Sequence, residues 1–352
     1  MRRRYPLAAF LLLTAALSAA IPAAAQVRWA DTSYKEVLAK AKAENKNVFI
    51  DFYAVWCGPC KQLEKVTYAD PKVIEFLNGM IPAKWDAEKG EGIELAKDFR
   101  IGAYPTLVLL APDGKEIDRF LGYLEPADFV RVFTDYRNGV GTVAYYEARV
   151  KEDPEDAASW KTLGMKRVDA GRPDEAKKAL EKFLELSPGA GPEEKAEVTY
   201  ALGEASYRGA AYDEAAATFE KVANDFDGTK WAFQAVVMGA NASFKKGDKE
   251  KAVQTYMAYA KKHSDDVEAL NAFAWFCASK KVGMAEALPY AEKAAELSNR
   301  DPGVLDTLAE LHYAMGDYDR AITVGEEALK KSPEDTYLSE QLAKFKKAKA
   351  EK

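Results

Sequence analysis

Cysteine and histidine are scarce: the 352-residue chain has three of the first, at 57, 60 and 277, and two of the second, at 263 and 312. So few cysteines exclude a small scaffold knitted by many disulfides. A zinc site built on Cys57 and Cys60 would need two more ligands, and the remaining candidates stand far along the chain, so no metal and no cofactor are expected. There is no basic excess either, with 50 Lys and Arg against 56 Asp and Glu. That balance argues against nucleic acid or anionic lipid as the main partner. Beyond the first 25 residues no apolar run is long enough to span a bilayer. What remains, 48% hydrophobic and 30% charged residues, is ordinary globular composition with room for two or three domains.

The N-terminus reads differently from the rest. Arg2, Arg3 and Arg4 precede an apolar stretch from Leu7 to Ile21, and Ala23, Ala24 and Ala25 follow before Gln26. A basic start, a short apolar run and a small-residue ending are the parts of a secretory signal peptide, so residues 1–25 are expected to be cleaved and the remainder exported to the periplasm or a similar compartment. The competing reading is a single retained anchor. Removing the segment deletes three arginines and no acid, which makes the mature chain more acidic.

Two grammars divide the mature chain. In residues 26–138, helical spacing at Tyr34, Val37, Leu38 and Ala41 leads into Asn47 to Ala54, a short β-rich run apolar on both faces that belongs in a central strand. Further strands are expected at Ile81 to Trp85 and Thr106 to Ala111. Pro112, Asp113 and Gly114 then turn the chain into Lys115 to Phe120 as a hairpin. Helical stretches near Glu91 to Phe99 and Glu125 to Tyr136 complete an α/β unit with a mixed sheet. From 139 to 352 no strand pattern appears. Alanines recur at 176, 215, 252, 287 and 321, spacings that converge on 34 residues. Around the first stand Trp160, Leu163, Gly164, Gly171 and Pro188; around the last, Leu305, Leu308, Ala309, Gly316, Ala328 and Pro333. This pattern resembles the tetratricopeptide repeat, and it implies an all-α solenoid of about five units, 157–190, 196–229, 233–266, 268–301 and 302–335. Tyr145 to Lys151 looks like an extra half-unit.

Chemistry concentrates at Cys57-Gly58-Pro59-Cys60. Two cysteines separated by two residues at a helix start lie close enough to bond. The first then sits where unpaired backbone N–H groups and the helix dipole favour a thiolate, and the second lies one turn along. Pro59 can begin a helix without losing a needed donor, and Gly58 keeps the loop tight. Cys57 is therefore read as the attacking thiol and Cys60 as the resolving one. Cys277 lies among Phe273, Ala274, Trp275 and Phe276, and reads as a small core residue.

The run from Asp51 to Lys61 resembles the active-site signature of the thioredoxin family. Lys61 to Val73 is similar to the reductase domain of transmembrane electron conductors of the DsbD type, in its Glu64-Lys65 and Thr67-x-x-Asp70-Pro71 continuation. The resemblance implies a thioredoxin-like α/β fold followed by the tetratricopeptide solenoid. It implies that Tyr104-Pro105 carries the family's cis-proline, beside which an extended substrate pairs, and that Gly122 lines the same groove. It implies that Asp51 is the buried acid and Lys84 its partner in moving a proton off Cys60, and that Trp56 shields the sulfurs and meets substrates together with Gly58 and Pro59.

The function these features imply is an exported thiol–disulfide oxidoreductase that reduces protein disulfides. Its expected partners are disulfide-bearing clients, a membrane electron donor of the DsbD type, and a peptide or protein held by the repeats. The alternative is an envelope scaffold or chaperone in which the thioredoxin-like part serves for docking.

Overall fold

The computed structural model describes residues 26–351; the signal-peptide reading of residues 1–25 lies outside them. The first region runs α1 (Tyr34–Glu44), β1 (Val48–Tyr53), α2 (Gly58–Gln62) continued by a π-helical turn (Leu63–Thr67), α3 (Pro71–Asn78), β2 (Ile81–Asp86), α4 (Glu91–Asp98), β3 (Thr106–Leu110), β4 (Glu116–Leu121) and α5 (Pro126–Arg137). The strands lie in the order β2-β1-β3-β4. β1 pairs parallel with β2 and antiparallel with β3, which pairs antiparallel with β4. The expected hairpin is the β3–β4 pair.

Alternation along β1 divides its side chains between two cores. Val48, Ile50 and Phe52 pack with Val37, Ala41 and Leu95 on one face. Phe49 packs on the other with Leu63, Tyr68, Leu107, Phe129 and Phe133. Asp51 follows Phe49 by two residues, so it points to that second face, and it is 1% exposed. A carboxylate enters the core because the strand period leaves it no other direction.

Between the cysteines and β2 the chain forms two helical segments, not one. The π-helical turn ends at Thr67, whose hydroxyl donates to the Leu124 carbonyl at 2.6 Å. Asp70 then caps the N–H groups of Lys72 and Val73 and Pro71 opens α3, a start signal visible in the sequence.

The second region is all helix: α6 (Val143–Glu152), α7 (Ala157–Asp169), α8 (Pro173–Leu186), α9 (Pro192–Arg208), α10 (Tyr212–Asp225), α11 (Lys230–Lys246), α12 (Lys249–Lys262), α13 (Val267–Lys280), α14 (Met284–Leu297), α15 (Pro302–Ala314), α16 (Tyr318–Lys331) and α17 (Thr336–Ala350). From α7 to α16 they form five consecutive pairs among the described residues, with α6 preceding them as the extra half-unit. The recurrent alanines 176, 215, 252, 287 and 321 are all 0% exposed. Any larger side chain there would push paired helices apart. Gly164 serves the same purpose, since a Cβ on it would meet Leu180 Cδ2 at 2.5 Å. The turn inside each pair needs one left-handed residue: Gly171, Ala210, Gly247, Lys281 and Gly316 have φ of 63°, 58°, 101°, 54° and 79°. Beyond the last expected repeat, α17 buries Leu338, Leu342 and Phe345, covering an apolar face that a terminal repeat would otherwise leave open.

The two regions meet through buried polar contacts. The Asp118 carboxylate of β4 accepts from the backbone N–H of Val143 at 2.6 Å and of Arg119 at 2.7 Å, and pairs with Lys166 of α7 at 3.0 Å. Lys166 Nζ also donates to the Tyr136 hydroxyl at 3.0 Å. Burial outweighs these contacts and holds the Asp118 acid above its usual range. The Asn138–Gly141 segment joining the regions is therefore not their only connection.

Candidate active site

Cys57 and Cys60 are joined by a disulfide, and each is 3% exposed. Cys57 is the residue that caps α2: its Sγ accepts from the Cys60 backbone N–H at 3.1 Å. A donor so placed, at a helix start, favours thiolate over thiol at Cys57 once the disulfide is reduced. Gly58 and Pro59 are exposed between the two sulfurs. Beside them Val55 and Trp56 are each 65% exposed, an apolar surface next to the sulfurs. The Trp56 indole N–H donates to Glu88 at 2.8 Å and its ring meets Tyr104 edge-on at 5.9 Å. Opposite stands the Tyr104–Pro105 peptide bond, which is cis. The Gly122 N–H donates to the Pro105 carbonyl at 2.9 Å, and Gly122 has φ of 109°, where a side chain is strained.

Under Cys60 lies a cavity of about 210 Å³ lined by Asp51, Tyr53, Cys60, Glu64 and Lys84, among others. Asp51 Oδ2 accepts from the Tyr68 hydroxyl at 3.0 Å, while Oδ1 is buried without a hydrogen-bond partner. Burial raises the Asp51 acid to about 7; the Tyr68 hydrogen bond opposes the shift, the Glu64 charge adds to it and Lys84 offsets part of it. A carboxyl that ionises near neutral pH beside a sulfur is suited to taking and returning a proton.

Lys84 acts on Asp51 through its charge and makes no hydrogen bond to it. The two residues are partners in the β1–β2 register, but the Lys84 ammonium pairs with the Glu64 carboxylate and lies 5.2 Å from the Trp29 ring centre. The reason is dielectric: Glu64 is at the surface, where an ion pair keeps its hydration, whereas reaching Asp51 would bury the ammonium. Glu64 and Tyr68 carry no expected role in the sequence reading. Their signal was available: Glu64 is four residues beyond Cys60 and Tyr68 four beyond Glu64, a spacing that places them on one helical face.

Cys277 is far from this site and buried in the core of the repeats, where burial pushes its thiol up to about 12. Such a thiol stays protonated and inert.

A four-stranded mixed sheet with a helix-capping disulfide opposite a cis-proline, followed by a helical solenoid, defines a thioredoxin-like domain fused to tetratricopeptide repeats. Residues 34–137 match the family model of the thioredoxin-like domain, and residues 161–228 and 302–345 match models of the tetratricopeptide repeat. The thiol:disulfide interchange protein DsbD of Salmonella typhi is 34% identical over 95 residues, 26% of this chain and 17% of that protein. DsbD of Pseudoalteromonas atlantica is 32% identical over 100 residues, again 17% of its length. The chain thus spans about a sixth of the curated relatives it matches. Among solved structures, a thioredoxin from Thermus thermophilus is 30% identical, with 32% of this chain and 86% of that one covered and a TM-score of 0.29. YrrB, a tetratricopeptide protein with an unusual peptide-binding site, is 18% identical, with 58% and 100% covered and a TM-score of 0.38.

Proposed function

We propose that this chain is an exported thiol–disulfide oxidoreductase that reduces protein disulfides, with its repeats recruiting the client. The observation that carries the reading is the Cys57–Cys60 disulfide at a helix start, over a cavity that holds the unpaired Asp51 oxygen. In the reduced protein the Cys57 thiolate attacks a client disulfide, forming a mixed disulfide and expelling one client thiolate. Asp51 takes the Cys60 proton, and the Cys60 thiolate attacks Cys57 Sγ. The second client thiolate leaves, the client gains two electrons, and the internal disulfide re-forms. Lys84 and Glu64 at the cavity mouth set how readily Asp51 ionises. Trp56, Gly58, Pro59, Tyr104, Pro105 and Gly122 form the surface that holds the client chain against the sulfurs.

Gly-Pro between the cysteines and the similarity to DsbD support reduction as the direction, with a membrane donor of the DsbD type returning the internal disulfide to the dithiol. The same similarity, with the N-terminal leader pattern, supports a periplasmic setting. No cofactor is required, because the sulfurs carry the electrons themselves. The test is insulin reduction by dithiothreitol, which the purified protein should accelerate and the Cys57→Ser variant should not. An unaccelerated reaction overturns the reading.

A further inference from the structure

A cavity of about 600 Å³ opens between the loop preceding Tyr104 and the repeats, lined by Arg100, Ile101, Gly102 and Ala103 on one side and by Glu204, Tyr207 and Arg208 of α9 and Met238 of α11 on the other. Neither the dithiol nor the packing of the repeats uses it. Ala103 is bonded to Tyr104, whose ring touches Trp56, so the cavity begins where the dithiol surface ends. Arg208 lies so close over Gly102 that a Cβ there would be 2.8 Å from its Nη1, which brings the loop and the repeats together at this point.

Two charged groups face each other in the cavity, Glu204 and Arg208. Among the described residues, neither the Glu204 carboxylate nor the Arg208 guanidinium has a hydrogen-bonded or ion-paired partner, although each feels the other's charge. Both are partly buried. Burial raises the Glu204 acid, the Arg208 charge opposes the shift, and the charge of Asp169 adds to it. Their polar atoms still reach solvent, so a ligand that enters the cavity must replace those water contacts with hydrogen bonds of its own. An acceptor and a donor side by side, flanked by the apolar Tyr207, Met238 and Ile101, match the alternating N–H and C=O groups and the side chains of an extended polypeptide. A free anion or cation would satisfy only one of the two.

We propose that this cavity is a second client subsite, which holds the extended protein segment flanking the disulfide presented to Cys57. The proposal rests on the disulfide-reductase reading. Glu204 accepts from the segment's backbone N–H and Arg208 donates to its carbonyl oxygen, while Tyr207 and Met238 cover its side chains. The subsite is composite: the loop belongs to the thioredoxin-like region and the walls to the repeats. Client preference then resides partly in residues that never approach the sulfurs.

The experiment compares single-turnover reduction of insulin and of the small disulfide 5,5′-dithiobis(2-nitrobenzoate) by the pre-reduced full-length protein. Met238→Trp fills the cavity, and the double variant Glu204→Met, Arg208→Met removes both hydrogen-bonding groups while keeping the side chains long. Each variant should lower the second-order rate with insulin about fivefold or more through weaker binding, seen in its concentration dependence, and leave the small disulfide within about twofold. Equal effects on both substrates, or none on insulin, overturn the subsite. If Met238→Trp does not fold, the double variant decides. A wild-type protein that reduces neither substrate contradicts the reductase reading, whereas one that reduces both with no variant effect contradicts only the subsite.

Discussion

The two regions solve opposite problems with the same residue types. The repeats are stabilised by what recurs: an alanine at 0% exposure in every pair, a left-handed turn residue, and aspartate caps at Asp156, Asp248, Asp266, Asp301, Asp317 and Asp335. Thr199 and Ser206 there donate to the carbonyl four residues earlier, although the buried Ser243 hydroxyl of α11 has no partner. In the thioredoxin-like region the telling residues occur once. Asp51 is buried with one oxygen unpaired, and the Gly122 N–H donates to the carbonyl of the cis Pro105. Repetition distributes stability along a solenoid, in which each unit depends only on the units beside it. A single site concentrates cost where chemistry is done.

The largest effect that tests this contrast is catalytic. Replacing Cys57 by Ser should lower disulfide reduction on the order of 100-fold or more, to the uncatalysed rate, because the attacking thiolate is gone. The melting of the repeats should not move, as circular dichroism would show; a matching loss of helix stability would break the separation of roles.

Next comes Asp51→Asn. The unfolded acid ionises near 3.8 and the folded one near about 7, so the folded state loses stability as pH rises through that window. Removing the carboxyl should therefore stabilise the protein above pH 7 by up to about 4 kcal/mol and leave it unchanged below pH 4, as denaturant titrations at several pH values would show. The same variant should flatten the pH dependence of mixed-disulfide resolution near neutrality. A stability gain independent of pH would contradict the account of Asp51.

A smaller effect is expected at the junction. Lys166→Met strands the buried Asp118 carboxylate with only its two backbone donors, and should cost about 3 kcal/mol. Adding Asp118→Asn should recover a large part of that loss. Additive losses in the double variant would show that the pair does not couple the regions. The smallest effect lies within the repeats: Ala210→Gly relieves a left-handed alanine and should stabilise by about 0.5–1 kcal/mol, without any change in redox rate. A destabilised variant would show that the Ala210 side chain contributes packing that outweighs its backbone strain.

Legibility followed the same division. The repeats were readable because a period is evidence repeated five times, and because alanine and glycine at close helix contacts admit few substitutes. The strands of the first region were readable from short apolar runs and turn residues. Less accessible were features that depend on three-dimensional neighbours. The helix after the dithiol breaks at a π-helical turn that no single residue announces, although Asp70-Pro71 marks the restart. Lys84 faces Asp51 in register yet pairs with Glu64, a choice made by relative hydration rather than by spacing. The cavity beside Gly102 joins residues about a hundred positions apart in two regions, so no local pattern could show it. Nor does the alanine periodicity reach α17.

The central claim, that Cys57 attacks client disulfides and Cys60 releases them, is tested most directly by trapping. The Cys60→Ser variant, expressed in the native compartment and recovered after acid quenching, should carry proteins joined to Cys57 through disulfides that dithiothreitol reverses. The Cys57→Ser variant should carry none. Equal adducts on both variants, or adducts on Cys277, would contradict it.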